Sequence, residues 1–276
     1  MSRSPILRKL RTSDVPAALE LSIEAGWNQT AEDWQMLIDL APENCLAIEV
    51  DGELAATATL FCYGRRLAWV GMVLTRIAYR GRGFARRLLN ETLTMADRMQ
   101  IDSVKLDATD QGQPLYEKLG FRAEQPVERW ARPASTAAPG SNVSQTANTT
   151  DKKWLAADSP AFGLDRTQLL QALAKRNAPR SLGHSYLLSR LGRLTNYLGP
   201  CVADTAATAH ALMCLALQTP NSTGFSWDIL TQNSSAVALA RELNFVPKRH
   251  LLRMVRGKDL RGHEQNIYAI AGFELG

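Results

Sequence analysis

The run Arg80-Gly81-Arg82-Gly83-Phe84-Ala85-Arg86-Arg87 packs four arginines and two glycines into one turn. That combination suits the binding of a phosphate or pyrophosphate. Glycines let successive backbone N–H groups approach an anion, and the free amides and dipole of a helix opening near Phe84 favour negative charge. The guanidinium groups add attraction of their own. As a merely solvated first turn, the run would set cations against the positive end of a helix dipole. No Gly-Lys-Ser/Thr occurs, so this is not a Walker loop, and Arg86 stands where a dinucleotide fingerprint needs its third glycine.

The elements around that turn form a mixed α+β pattern. Apolar residues at Val15, Ala18, Leu19 and Ile23 make one stripe of a helix over 14–24. Thr30 followed by Glu32 and Asp33 opens a second helix, which ends near Pro42. Cys45 to Val50 and Leu54 to Tyr63 read as strands joined by an Asp51-Gly52 turn. Leu67 to Leu74 is a third strand, in which Gly71 marks a bulge or the close approach of another backbone. A helix from Phe84 to about Met99, a strand from Ser103 to Asp107, a short helix from Pro114 to Leu119 and a strand opening at Gly120-Phe121 complete the first half.

A second signature, Pro114-Leu115-Tyr116-Glu117-Lys118-Leu119-Gly120-Phe121, follows the arginine-glycine turn after one helix and one strand. Together the two runs resemble the GNAT superfamily of acyl-CoA N-acyltransferases, over roughly residues 5–131. The resemblance implies a splayed mixed sheet with acetyl-CoA wedged between two strands. It places the pyrophosphate on Arg80, Gly81, Arg82, Gly83, Phe84, Ala85 and Arg86, and the pantetheine arm with an oxyanion donor along Met72-Val73-Leu74. By position in the motif, Tyr116 would reprotonate the departing CoA thiolate.

The acceptor amine must be neutral to attack a thioester, yet an alkyl ammonium has a pKa of about 10. A base or a water chain is therefore useful. Many GNAT enzymes carry a glutamate on the strand before the loop, and Leu67 to Leu74 contains no acid. Asp107, Asp33 and Glu32 are candidates to hold an ammonium or order a water, with ordinary capping or surface roles as the alternative. Trp27 and Trp34 could wall an acceptor pocket between the first two helices and Asn28 could recognise a polar group there. Packing of Trp27 in the core beside a Thr30 helix cap is the competing reading.

The second half echoes the first. Ala238-Leu239-Ala240-Arg241-Glu242-Leu243-Asn244-Phe245 aligns without gaps on 114–121, but Ala240 replaces the phenol. The strand Pro200 to Ala203 enters a helix at Thr205 through Asp204-Thr205-Ala206-Ala207, where an aspartate would repel pyrophosphate. This half resembles the degenerate C-terminal domain of a bacterial subgroup of tandem GNAT proteins, including its closing run Tyr268 to Gly276. Its expected work is to close or shape the acceptor pocket. Glu274 could contribute a charge there or lie on the surface.

The expected organisation is α+β: two GNAT-like domains, each a splayed, mostly antiparallel mixed sheet with flanking helices. The domains span 1–133 and 153–276, joined by a flexible linker at 134–152 that has no charged residue between Pro133 and Thr150. With 276 residues, 45% apolar and 21% charged, the chain is an ordinary globular one, with no apolar leader or membrane-length segment. That points to the cytoplasm and to no membrane partner. Residues 1–133 hold 17 Lys/Arg against 18 Asp/Glu and residues 134–276 hold 15 against 9, without the aromatic interleaving of a nucleic-acid groove. Four scattered cysteines read as reduced thiols, and the lone His210/Cys214 pair does not make a metal site.

The functional expectation is acetyl transfer from acetyl-CoA to a primary amine of a small molecule by direct attack, without metal, in a monomer or homodimer. An acyl-CoA sensor that turns nothing over, or an enzyme acting on protein lysines or N-termini, are the alternatives.

Overall fold

A computed structural model describes residues 4–134, 152–218 and 222–276. The expected linker, apart from its two end residues, lies outside the described residues. In the first half the chain runs β1 (Ile6–Lys9), α1 (Val15–Glu24), α2 (Ala31–Leu40), β2 (Cys45–Val50), β3 (Glu53–Tyr63), β4 (Leu67–Thr75), α3 (Phe84–Arg98), β5 (Ser103–Ala108), α4 (Gln113–Lys118) and β6 (Arg122–Arg132). The second half adds α5 (Leu155–Phe162), α6 (Thr167–Arg176), β7 (Arg180–Leu182), β8 (Ser185–Arg190), β9 (Asn196–Val202) and α7 (Ala206–Leu217). It ends with β10 (Phe225–Leu230), α8 (Ser234–Glu242), β11 (Val246–Gly257) and β12 (Ile267–Ala269).

Local chemistry accounts for several of these boundaries. At the start of α2 the Thr30 hydroxyl accepts from the Asp33 amide at 3.3 Å while the Asp33 carboxylate accepts from the Thr30 amide at 2.8 Å. This reciprocal box satisfies two otherwise orphaned donors. The β2–β3 hairpin turns through Asp51 and Gly52, both at positive φ, the backbone that a two-residue turn needs to match strand twist. Helix α3 buries Phe84, Leu88, Leu89, Thr92, Leu93 and Ala96 against the sheet and leaves its arginines outward.

The two halves share one sheet. Its strand order is β1-β2-β3-β4-β5-β11-β6-β10-β9-β8-β7, with β12 paired to β9. The last long strands are exchanged: β11 pairs with β5 of the first half, and β6 pairs with β10 of the second. With β11 also paired to β6, the sequence boundary at residue 133 is crossed by three antiparallel pairings.

A matched ion pair fastens each exchanged strand. Arg253 on β11 grips Asp107 on β5 through two hydrogen bonds of 2.9 and 3.1 Å. Arg129 on β6 grips Asp228 on β10 through two of 2.7 Å. Each guanidinium also lies over an aromatic ring, Trp69 on β4 at 4.5 Å and Tyr197 on β9 at 5.6 Å.

The feature that positions the site is where neighbouring strands part. β4 and β5 pair in parallel only from Leu67/Ser103 to Trp69/Lys105. Beyond Trp69, β4 has no strand neighbour on that side among the described residues, and a V-shaped cleft opens between them.

Candidate active site

The outer arm of the cleft is an open groove walled by Val73 to Thr75, the turn before α3, and α4. Gly81 and Gly83 both have φ of 78°, a conformation that L side chains rarely adopt. A Cβ at either would meet nothing within 4 Å, so backbone shape rather than space calls for glycine. Gly83 occupies the N-cap of α3 and supplies no side chain, leaving the first amides of that helix facing the groove. Arg80, Gly81, Gly83, Phe84, Ala85 and Arg86 line it. Arg82 instead lies over the Tyr79 ring at 5.1 Å and is not among the lining residues.

The groove continues inward to a narrow chamber. Trp27, Val73, Thr109, Tyr116 and Arg249 line both spaces and so mark their junction. Met72 faces the inner one and Leu74 the outer one. At this point β4 slips register against β3, Met72 takes a φ of 48°, and the Thr57 hydroxyl donates to the Met72 carbonyl at 2.8 Å. A bulge re-aims backbone groups, here beside the parting of β4 from β5.

Tyr116 is held against Phe121, ring edge to face at 6.0 Å between centroids. Its ring stands where a Cβ on Gly112 would come within 2.8 Å. Burial pushes the phenol up to about 12, so it stays protonated at neutral pH.

Two residues expected to touch the acceptor are engaged elsewhere. The Asn28 carboxamide accepts from the amides of Leu194 and Thr195 at 2.8 and 3.0 Å and donates to the Thr195 carbonyl at 3.0 Å. It therefore clamps the loop before β9 and is not among the residues lining the chamber. Asp107 lines the chamber, but both its oxygens are taken by Arg253, as those of Asp228 are by Arg129 in the half that lacks the arginine-glycine turn. The pairing recurs in the half without that turn, so it does not depend on the turn's chemistry.

Of the tryptophans, Trp27 walls both spaces, whereas Trp34 is fully buried and donates to the Ser22 hydroxyl at 3.0 Å. Asp33 is tied to Arg176 and Arg190. Burial works to raise its carboxyl, but those two guanidinium groups outweigh it and hold it below the ordinary range.

Sequence reasoning left open the residue that now stands nearest to β4. Residues 270–276 run into the first half, where Trp69 Nε1 donates to the Phe273 carbonyl at 2.9 Å and Tyr63 donates to that of Leu275. The buried Arg166 donates to the Gly276 carbonyl at 2.9 Å. Glu274 thereby lies on Gly71, where a Cβ would come within 2.9 Å of its Cα, Cβ and carbonyl oxygen. The close approach signalled by that glycine is this segment. Gln29, between the expected acceptor residue Asn28 and the helix cap Thr30, lines the same chamber.

Residues 12–121 match the Acetyltransferase (GNAT) family, and residues 155–269 match an Acetyltransferase (GNAT) domain. The chain belongs to the GNAT acetyltransferase family. It carries two domains of that type in tandem. It is 30% identical over 170 residues to the uncharacterized N-acetyltransferase YitH of Bacillus subtilis (strain 168), a match spanning 60% of this chain and 59% of that one. It is 25% identical to the holothin acyltransferase of Pseudoalteromonas sp. (strain SANK 73390), across 93% of this chain and 90% of the relative. A Pyrococcus horikoshii protein assigned as an acetyltransferase shares the fold over 99% of this chain and 96% of its own, with TM-score 0.87 and 22% identity. The GCN5-related N-acetyltransferase of Sphaerobacter thermophilus does so over 94% and 98%, with TM-score 0.68 and 18% identity.

Among the described residues, no helix is long and apolar enough to cross a membrane. Nor, among them, do three or more His, Cys, Asp or Glu side chains gather as a metal site would need.

Proposed function

We propose that this protein transfers an acetyl group from acetyl-CoA to a primary amine of a small molecule by direct attack. The observation that carries the reading is the continuity of the two spaces. A groove beginning at the open N-terminus of α3 meets an enclosed chamber at Tyr116. The pyrophosphate rests on the amides of 83–86, assisted by Arg80 and Arg86, and the pantetheine arm follows β4 inward past Leu74 and Val73. Backbone N–H groups of β4 beyond Trp69, which have no strand partner on the cleft side among the described residues, stabilise the oxyanion of the tetrahedral intermediate.

The amine nitrogen bonds to the carbonyl carbon, the C–S bond breaks, and Tyr116 gives its proton to the thiolate. The resulting phenolate takes the surplus proton left on nitrogen, so the tyrosine returns to its starting form. Enclosure of the chamber by residues from both halves favours a small acceptor over a protein side chain.

The test is mass spectrometry of products after incubation with acetyl-CoA and a panel of amines, holothin included, with Tyr116→Phe run in parallel. Acetylated product from wild type, suppressed in the variant, is expected. No product despite tight acetyl-CoA binding would overturn the reading.

A further inference from the structure

The inner chamber holds two hydrogen-bond acceptors that lack their full complement of donors. Glu274 is 4% exposed. One of its oxygens accepts from Gln29 Nε2 at 3.1 Å, and the other lies 3.4 Å from an Arg190 nitrogen, a long contact for a charged pair. Gln29, which lines the chamber, is 7% exposed, and with its Nε2 spent on Glu274 its buried Oε1 has no partner among the described residues. A buried carbonyl oxygen left unmatched is destabilising, and a ligand with spare N–H donors recovers that loss. An ammonium group has three such donors.

We propose that Gln29 and Glu274 form the cradle for the acceptor's amino group, and that Glu274 takes its proton before attack. The chemical class of the acceptor is therefore a basic alkylamine that enters as an ammonium ion. This rests on the acetyl-transfer reading above. β4, which has no acid of its own, receives one across Gly71 from the far end of the chain. The proton balance closes: one ammonium proton goes to Glu274 and then to solvent, and the second N–H proton lost from nitrogen restores Tyr116 as described.

The charged groups facing Glu274 allow this. Arg190 on β8 is shared with Asp33 on α2, and Arg129 on β6 is committed to Asp228 on β10. Arg190 divides its charge between Asp33 and Glu274, which it meets only at 3.4 Å. Burial raises the Glu274 carboxyl above its ordinary value, with Arg190 and Arg129 working against the rise and Asp33 with it.

The experiment measures kcat/KM of wild type and Glu274→Gln for n-butylamine, phenethylamine and cadaverine between pH 7 and pH 10, with thermal unfolding to verify the fold. Glutamine keeps the volume and an acceptor for Gln29 Nε2. At pH 7, where about one alkylamine in 1000 is neutral, the variant is expected to lose about 1000-fold. Without a base it must wait for amine already neutral in solution, so its rate should climb about tenfold per pH unit towards wild type as the amine's pKa of about 10 is approached. In a second variant, Gln29→Leu, KM for the alkylamines should rise about tenfold with acetyl-CoA affinity unchanged. A Glu274→Gln deficit that stays constant across pH, or no deficit at all, would overturn the proposal while leaving acetyl transfer standing. No transfer by wild type to any amine of the product panel would instead overturn the acetyl-transfer reading, and this one with it.

Discussion

The cleft between β4 and β5 stands open, whereas its counterpart between β9 and β10 is filled. β9 and β10 also pair in parallel only at their start, at Asn196/Phe225 and Tyr197/Ser226. Beyond that point β12 lies against β9 at Cys201 and Val202, and the Ile270 amide donates to the Asp228 carbonyl at 3.0 Å. The helix that follows differs in the same sense. Thr205 caps α7 by accepting from the Thr208 amide at 3.1 Å, while Gly83 leaves α3 uncapped by any side chain. α7 is buried along Leu212 to Leu217, and α3 is amphipathic with exposed arginines. One architecture therefore serves two ends: a splayed sheet makes a binding cleft, or it makes a slot for the chain's own strand. The segment that fills one cleft then runs on to wall the other.

The largest effect should come from what the halves share. Asp107→Asn and Asp228→Asn each leave a buried guanidinium without its counter-charge, at a cost of about 3–5 kcal/mol by denaturant unfolding. Equal losses would show Asp107 to be fastening. A loss of activity in Asp107→Asn without a matching loss of stability would return it to the chemistry.

Gly83→Asp comes next. It forces an L residue to a φ of 78° and sets a carboxylate at the α3 N-terminus. Strain of about 1–3 kcal/mol and the lost dipole interaction together amount to about 100-fold in acetyl-CoA Kd. Calorimetry of wild type should meanwhile find one acetyl-CoA per chain, and two would break the comparison between the clefts. Tyr116→Phe should lower kcat about 100-fold with acetyl-CoA affinity unchanged. With the phenol pushed up to about 12, wild-type kcat should show no alkaline fall near pH 10, where an ordinary tyrosine ionises. A fall there, absent in Tyr116→Phe, would place the phenol in a wetter setting.

These contrasts were unevenly legible in the sequence. The arginine-glycine turn was readable because a phosphate loop states its requirement in backbone terms, two glycines and a helix start, within a few residues. The strands and helices flanking it followed from periodicity and caps for the same local reason. The strand exchange was not readable that way. β6 and β11 carry similar patterns, and periodicity tells a strand which face to bury, not which neighbour to choose. One clue was present: Arg129 follows Phe121 by the same eight residues that separate Arg253 from Phe245, so a paired role for both was visible in the repeat. Asn28 misled because a carboxamide beside a tryptophan reads equally as recognition or as a loop clamp. Glu274 was indistinct because its neighbour Gly71 lies far away in the chain, and a close approach does not name its partner.

The smallest effect is the most specific. Gly71 on β4 and Gly199 on β9 hold corresponding places, each two residues beyond the aromatic ring that lies under an arginine, Trp69 and Tyr197. Both are pressed by the same segment: a Cβ on Gly199 would stand 2.4 Å from the Ile270 carbonyl oxygen, and one on Gly71 2.8 Å from the Glu274 Cβ. Ala at either site must push 270–274 away, at about 1–3 kcal/mol. Gly199→Ala should cost the more in stability, because it meets a backbone oxygen more closely and its φ of 153° disfavours a side chain. Gly71→Ala should be the milder in unfolding yet the more damaging to turnover, by about tenfold, because the group it displaces faces the reacting amine. If both variants lost stability and turnover in the same proportion, the segment would be a common brace, and the division between a filled cleft and a working one would have to be drawn elsewhere than at Glu274.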